Sequence, residues 1–279
     1  MLYRGFTREE LAQEYSPSSM VGGDLTPYIA GYTALSDQAR NTLPVKENLT
    51  YGAKATHVLD YFPAKTENSP LHIFIHGGYW QALSQRESAM MAPALVENGQ
   101  AFATLNYTLA PGARLGDMIA ECKNAIKWLA KNAAELGFDP SKVTISGHSA
   151  GGHLAAMVMA RFREELAQSG MIVQEVILIS GVFDLEPIAL TPVNDPIQLT
   201  TEEILGLSPV LHLPAVGPRY VVTVADRDTD EFIRQSREYA ELLRKAGRSV
   251  SFELKKGMHH FDIILHPGTF LPRSAERVD

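Results

Sequence analysis

The chain has 279 residues, 45% of them hydrophobic and 20% charged, a globular balance that excludes a disordered, collagen-like or repeat-only polypeptide and allows a large core. Twenty-five basic against thirty-two acidic side chains leave a formal charge of −7 with no basic block, which excludes the electrostatic footprint of a nucleic-acid binder. The one cysteine, Cys122, has no internal disulfide partner, and Arg4, Arg8, Glu9 and Glu10 interrupt any signal-peptide core. Nothing approaches the roughly 18 apolar residues of a membrane span, so a soluble cytoplasmic protein is expected, without membrane or nucleic-acid partners.

In chain order, residues 1–50 are polar and broken by Ser16-Pro17-Ser18-Ser19 and Gly22-Gly23, which predicts a small N-terminal arm or cap. Short apolar runs predict strands at 56–62, 71–75, 101–106, 143–146, 173–180, 220–225 and 250–254. Between them, residues 115–136 place Ile119, Cys122, Ile126, Leu129 and Ala133 at helical spacing, which makes Cys122 inert packing on a buried face. A second helix is predicted over 231–245, opened by Asp230 and closed by Gly247. The proline-rich stretch 183–218 carries no strong strand and is expected to pass over the sheet as a lid or pocket wall. Strands alternating with helices imply an α/β architecture: one domain over 1–279, with a mostly parallel central sheet and helices on both faces. Reactive groups then belong in loops at the carboxyl ends of the strands.

Two such loops carry chemistry. Val143-Thr144-Ile145-Ser146 runs into Gly147-His148-Ser149-Ala150-Gly151, and a helix-compatible segment follows from His153. G-x-S-x-G alone arises by chance in roughly one chain in ten of this length. Between a strand and a helix, however, it marks a turn sharp enough to hold a serine hydroxyl clear of the sheet beside free helix-terminal amides. Earlier, the strand 71–75 leads directly into His76-Gly77-Gly78-Tyr79-Trp80. Paired glycines let backbone amides approach a developing oxyanion, whose donors must stand about 3 Å away. The amides of Gly77, Gly78 and Ala150 are therefore expected to form that hole, with His76 orienting the loop.

A serine nucleophile needs a base and a carboxylate to hold the base's tautomer, and in this fold they follow it in the order acid, then histidine. Asp226-Arg227-Asp228-Thr229-Asp230 follows one late strand, and Met258-His259-His260-Phe261-Asp262 follows the next. Asp230 is placed to cap its helix and Asp226 to end its strand, leaving Asp228 as the acid; His259 and His260 both stay candidates for the base. His259, His260, Asp262 and His266 show no recognised metal-ligand spacing, so no metal is expected. Tyr79, Trp80, Tyr107, Phe183 and Phe261 lie beside these loops and are expected to wall an aromatic-binding pocket.

With these residues the chain resembles an α/β-hydrolase of the kynurenine formamidase (arylformamidase) type, close to hormone-sensitive-lipase-like esterases. The likeness spans Glu14 to Ser18, His76 to Trp80, the Ser149 turn, Ser180 to Leu185, Asp228 to Phe232 and His260 to Asp262. It implies Ser149 as nucleophile, Asp228 as acid and His260 as base. It also implies a small-molecule acyl substrate, N-formylkynurenine, cleaved to kynurenine and formate without a cofactor, and suggests a homodimer. Ala225-Asp226 stands where relatives tend to carry Gly-Glu, and His259 where Asn or another polar residue is usual. General carboxylesterase activity on short acyl esters is the alternative, and a non-catalytic binding protein on the same fold is the alternative of another class.

Overall fold

Eight strands form one sheet in the computed structural model, which describes residues 2–266 and 268. They are β1 (Lys46–Thr50), β2 (Val58–Phe62), β3 (Ser69–Ile75), β4 (Ala101–Leu105), β5 (Phe138–His148), β6 (Val173–Ile179), β7 (Arg219–Ala225) and β8 (Val250–Lys255). Their spatial order is β1-β2-β4-β3-β5-β6-β7-β8. The pairs β1–β2 and β2–β4 are antiparallel and all the others are parallel. The helices are α1 (Arg8–Glu14), α2 (Thr26–Thr42), α3 (Ala92–Glu97), α4 (Leu115–Lys131), α5 (Ala133–Leu136), α6 (Ala150–Gln168), α7 (Glu186–Ala189), α8 (Asn194–Ile197), α9 (Thr201–Leu207) and α10 (Asp230–Lys245). This is the α/β-hydrolase fold.

Period-two alternation divides the apolar strand residues between two cores. Ile73, Ile75, Ile145 and Leu178 face α4, α6 and α10, whereas Phe74, Phe102, Ile177 and Ile179 face α2, α3 and the turn at Ile263–Ile264. The helix predicted over 115–136 is two helices, because Asn132 leaves helical geometry with φ −103° and ψ 9° and turns its amide back onto the Trp128 carbonyl. β1 was not among the predicted strands. Its sequence Lys-Glu-Asn-Leu-Thr lies exposed at the sheet edge, so it lacks the apolar alternation that marks a half-buried strand.

The segment before β1 is fastened by an ion pair. Arg40 on α2 sends Nε and Nη2 to Asp60 Oδ2 on β2 at 3.1 and 2.8 Å, with side-chain exposures of only 7% and 1%. The remaining guanidinium donors reach the carbonyls of Gln85 and Arg86, and Asp60 Oδ1 accepts from the Asn48 amide. One guanidinium thus joins α2, β2 and the 85–88 turn. Removing it strands a buried carboxylate, so Arg40→Ala should lower unfolding free energy by about 3–5 kcal/mol. Urea denaturation checks this: a loss below about 1 kcal/mol would mean the pair is solvated in solution.

Candidate active site

β5 ends at His148, and Ser149 adopts φ 54° and ψ −120°, a conformation that L-residues rarely take, before α6 begins at Ala150. The surrounding glycines make the turn feasible. A side chain on Gly147 would come within 2.1 Å of the Gly151 carbonyl oxygen, and one on Gly151 within 2.0 Å of the Ile75 oxygen. The Ser149 amide donates to the Ile179 carbonyl at 2.8 Å, anchoring the strained residue to β6. Strain of this type costs about 1–3 kcal/mol and persists only where neighbours fix it. Its effect is to set Ser149 Oγ at the wall of a cavity of about 830 Å³, with no hydrogen bond to protein among the described residues.

The loop after β3 runs beside this turn. Gly77 packs so closely on His148 and Ser149 that a Cβ there would meet the His148 oxygen at 2.8 Å. Gly78 has φ +95° and lines the cavity next to Ser149. Among the described residues the amides of Gly77, Gly78 and Ala150 donate to no protein acceptor. Ala150 also opens a 19-residue helix, whose partial positive end favours negative charge. His76 stacks on Tyr107 at 4.3 Å with an interplanar angle of 8°, and its Nδ1 donates to the Gly77 carbonyl at 2.9 Å. Burial pushes its imidazole down to about 4, so it is a neutral brace for the loop.

In the two late loops the aspartates and histidines differ in their partners. His260 Nδ1 donates to Asp228 Oδ2 at 2.8 Å, and both residues are 3% exposed. The other Asp228 oxygen accepts from the Thr229 amide. Asp226 instead accepts the Gly257 amide at 2.8 Å and so pins the loop that presents the histidines. His259 turns away: its Nε2 lies 3.3 Å from Asp262 Oδ2, and its ring meets Tyr28 edge-on. With Nδ1 committed to Asp228, His260 keeps the Nε2 lone pair free, and His260 lines the same cavity as Ser149. The two side chains are not hydrogen-bonded to one another, a looseness common in unliganded sites.

Two expected wall residues, Tyr79 and Phe261, do line the cavity. Trp80, Tyr107 and Phe183, expected beside them, are not among the lining residues: all three are fully buried and pack against other side chains. Trp80 meets His153 edge-on at 5.1 Å, Tyr107 supports His76, and Phe183 stacks on Tyr239 at 4.4 Å. Aromatic residues at strand ends carry no sequence mark that separates a ligand wall from a core.

Residues that the motifs did not single out complete the wall. Tyr15 follows α1, lines the cavity, and donates its hydroxyl to Glu231 Oε2 at 2.7 Å, while Gln235 donates to Tyr15. Tyr79 donates to the Tyr15 carbonyl at 2.7 Å, joining the N-terminal segment to the glycine loop. His148, between the glycine and serine of the turn, donates Nε2–H to the His260 carbonyl at 2.9 Å. Burial, with the neighbouring His260, lowers the His148 imidazole well below its ordinary range. Pro192 and Val193 add apolar wall from the 183–218 stretch. Among the described residues no group of three or more His, Cys, Asp or Glu side chains is arranged to hold a metal ion, and no helix is long and apolar enough to cross a membrane.

Comparison with known proteins places this geometry. The BD-FAE family model matches residues 59–239. Kynurenine formamidase of Danio rerio is 32% identical over 274 residues, 94% of this chain and 92% of that protein. Kynurenine formamidase of Drosophila melanogaster is 34% identical over 227 residues, 78% of this chain and 75% of that protein. A crystal structure from a Silicibacter species, described as a candidate thioesterase, superposes with a TM-score of 0.82 at 25% identity, covering 92% of this chain and 94% of that one.

The buried histidines give stability a direction with pH. Burial lowers His72 to about 3, and His76 and His153 to about 4, from the ordinary 6.5. Unfolded chain binds these protons near pH 6.5 and folded chain does not. Their contribution is therefore whole above about pH 6.5 and is lost as pH falls toward 4, at up to about 1.4 kcal/mol per pH unit for each group. Urea midpoints should fall steeply between pH 6.5 and 4.5; constant midpoints would show that these imidazoles are solvated.

Proposed function

The chain belongs to the BD-FAE group and the kynurenine formamidase family of α/β-hydrolases, and on that premise we propose that it cleaves an aryl formamide, N-formylkynurenine, through an acyl-serine intermediate. The observation that carries this reading is the buried Asp228–His260 bond, which leaves His260 Nε2 free on the cavity that Ser149 also lines. His260 takes the Ser149 proton as Oγ attacks the formyl carbon. Asp228 stabilises the imidazolium and fixes its tautomer. The amides of Gly77, Gly78 and Ala150 receive the negative charge on the carbonyl oxygen. Collapse of the tetrahedral adduct breaks the C–N bond, and imidazolium gives its proton to the departing aryl amine. Water, deprotonated by the same imidazole, then attacks the formyl-serine, releases formate and returns the proton to Oγ. An aryl amine is a better leaving group than an alkyl amine, which makes an anilide a reasonable amide for this site. The cycle uses no cofactor.

Apolar wall from Leu25, Ile29 and Val193 also suits short acyl esters, so a carboxylesterase is the second reading. Rates for N-formylkynurenine beside p-nitrophenyl acetate and butyrate separate the two: a strong preference for the simple esters rejects the formamidase. Ser149→Ala and His260→Ala should each lower kcat by roughly 10³–10⁶, and Asp228→Asn by about 10⁴. His259→Ala should stay within about tenfold of the parent enzyme, the range for a residue outside the proton path. Near-normal turnover in Ser149→Ala would reject Ser149 as the nucleophile, whereas folded protein that resists organophosphate labelling at Ser149 would point to a non-catalytic binding protein.

A further inference from the structure

One charged side chain on the cavity wall has no part in the proposed cycle. Glu87 lines the cavity, and among the described lining residues there is no lysine or arginine. The histidines there do not supply a balancing free cation: burial holds His148 uncharged, and His260 is already matched to Asp228. Glu87 is itself held in place, with Oε2 accepting from Ser84 Oγ at 2.8 Å. Ser84 is fixed in turn by accepting the Arg86 amide. Oε1 has no protein partner among the described residues, and the nearby Arg40 guanidinium is committed to Asp60.

Glu87 is half-buried on a mostly apolar wall, so a ligand that covers it without pairing its carboxylate would leave a desolvated, uncompensated charge. The same cavity wall holds Tyr15, Tyr32, Tyr79 and Phe261, and the faces of aromatic rings attract cations. Carboxylate and aromatic groups together make a surface for an ammonium ion, and they oppose an anionic substituent. We propose that Glu87 is the counter-ion for a protonated amine remote from the acyl group, and that it makes this amine the determinant by which the cavity selects its ligands. The proposal rests on the serine-hydrolase reading only for which end of the ligand lies at Ser149. In a zwitterionic amino-acid substrate, the ammonium and not the carboxylate is the recognised group.

Titration calorimetry on the full chain tests this without turnover. The probes are kynuramine, an aryl ketone ending in an ammonium, and 2′-aminopropiophenone, which keeps the ring amine and ketone but lacks the terminal ammonium. At low salt and neutral pH the parent protein should bind kynuramine about tenfold more tightly. That ratio should shrink with added salt, fall to about one in Glu87→Gln and invert in Glu87→Lys. Equal affinities in the parent protein overturn the proposal, as does a preference that survives Glu87→Gln or the failure of both probes to bind. The parent comparison decides by itself if a variant does not fold. Failed hydrolysis would sink the formamidase reading and leave this measurement intact, whereas hydrolysis without an ammonium preference would sink only the role of Glu87.

Discussion

The geometry of the carboxyl edge depends on a backbone contact that only glycine permits. α6 begins against the ends of β3 and β5 because a Cβ on Gly147 or Gly151 would come within about 2 Å of a backbone oxygen, and glycine brings none. From that contact follow the positive φ of Ser149, the position of its hydroxyl and the alignment of the α6 terminus with the Gly77–Gly78 loop. A strained residue is affordable here because strands on both sides of β5 hold it, β3 through close packing and β6 through the Ile179 carbonyl. The rest of the site is then a matter of bringing a polarised imidazole to a point already fixed by the sheet.

That imidazole is selected by its surroundings. His259 and His260 are adjacent, yet one ring lies against Tyr28 and Asp262 near the surface, while the other is enclosed by Asp228, His148 and Phe232. The enclosure matters because a carboxylate–imidazole bond strengthens where water is excluded. Asp226 contributes at one remove, by fastening Gly257 and so setting where the loop leaves β8. Two aspartates two residues apart therefore hold the same loop in different ways, one through the backbone and one through the ring.

Much of this was legible in the sequence, and the parts that were not share a cause. The central parallel strands announced themselves as apolar runs because both faces of β3 to β7 are covered. The Ser149 turn was legible because its glycine spacing reflects a local backbone constraint. β1 was not, since an exposed edge strand has no burial pattern to read. Neither was the division between Tyr79 and Phe261, which line the cavity, and Trp80, Tyr107 and Phe183, which do not. That division depends on which way a ring turns after distant segments pack. Tyr15, His148 and Glu87 belong to the same class: each acquires meaning only from partners far away in the chain, or from a cavity that the local sequence does not describe.

The distance between those partners bears on how the protein is made. Ser149 and its glycines emerge from the ribosome long before His260, and β8 must be threaded beside β7 before the loop carrying that imidazole can dock. In a nascent chain that ends within α10, Asp228 has no ring to receive and Tyr15 finds an unfinished helix. Ser149 and the imidazole that shares its cavity therefore meet only after the last strand has joined the sheet.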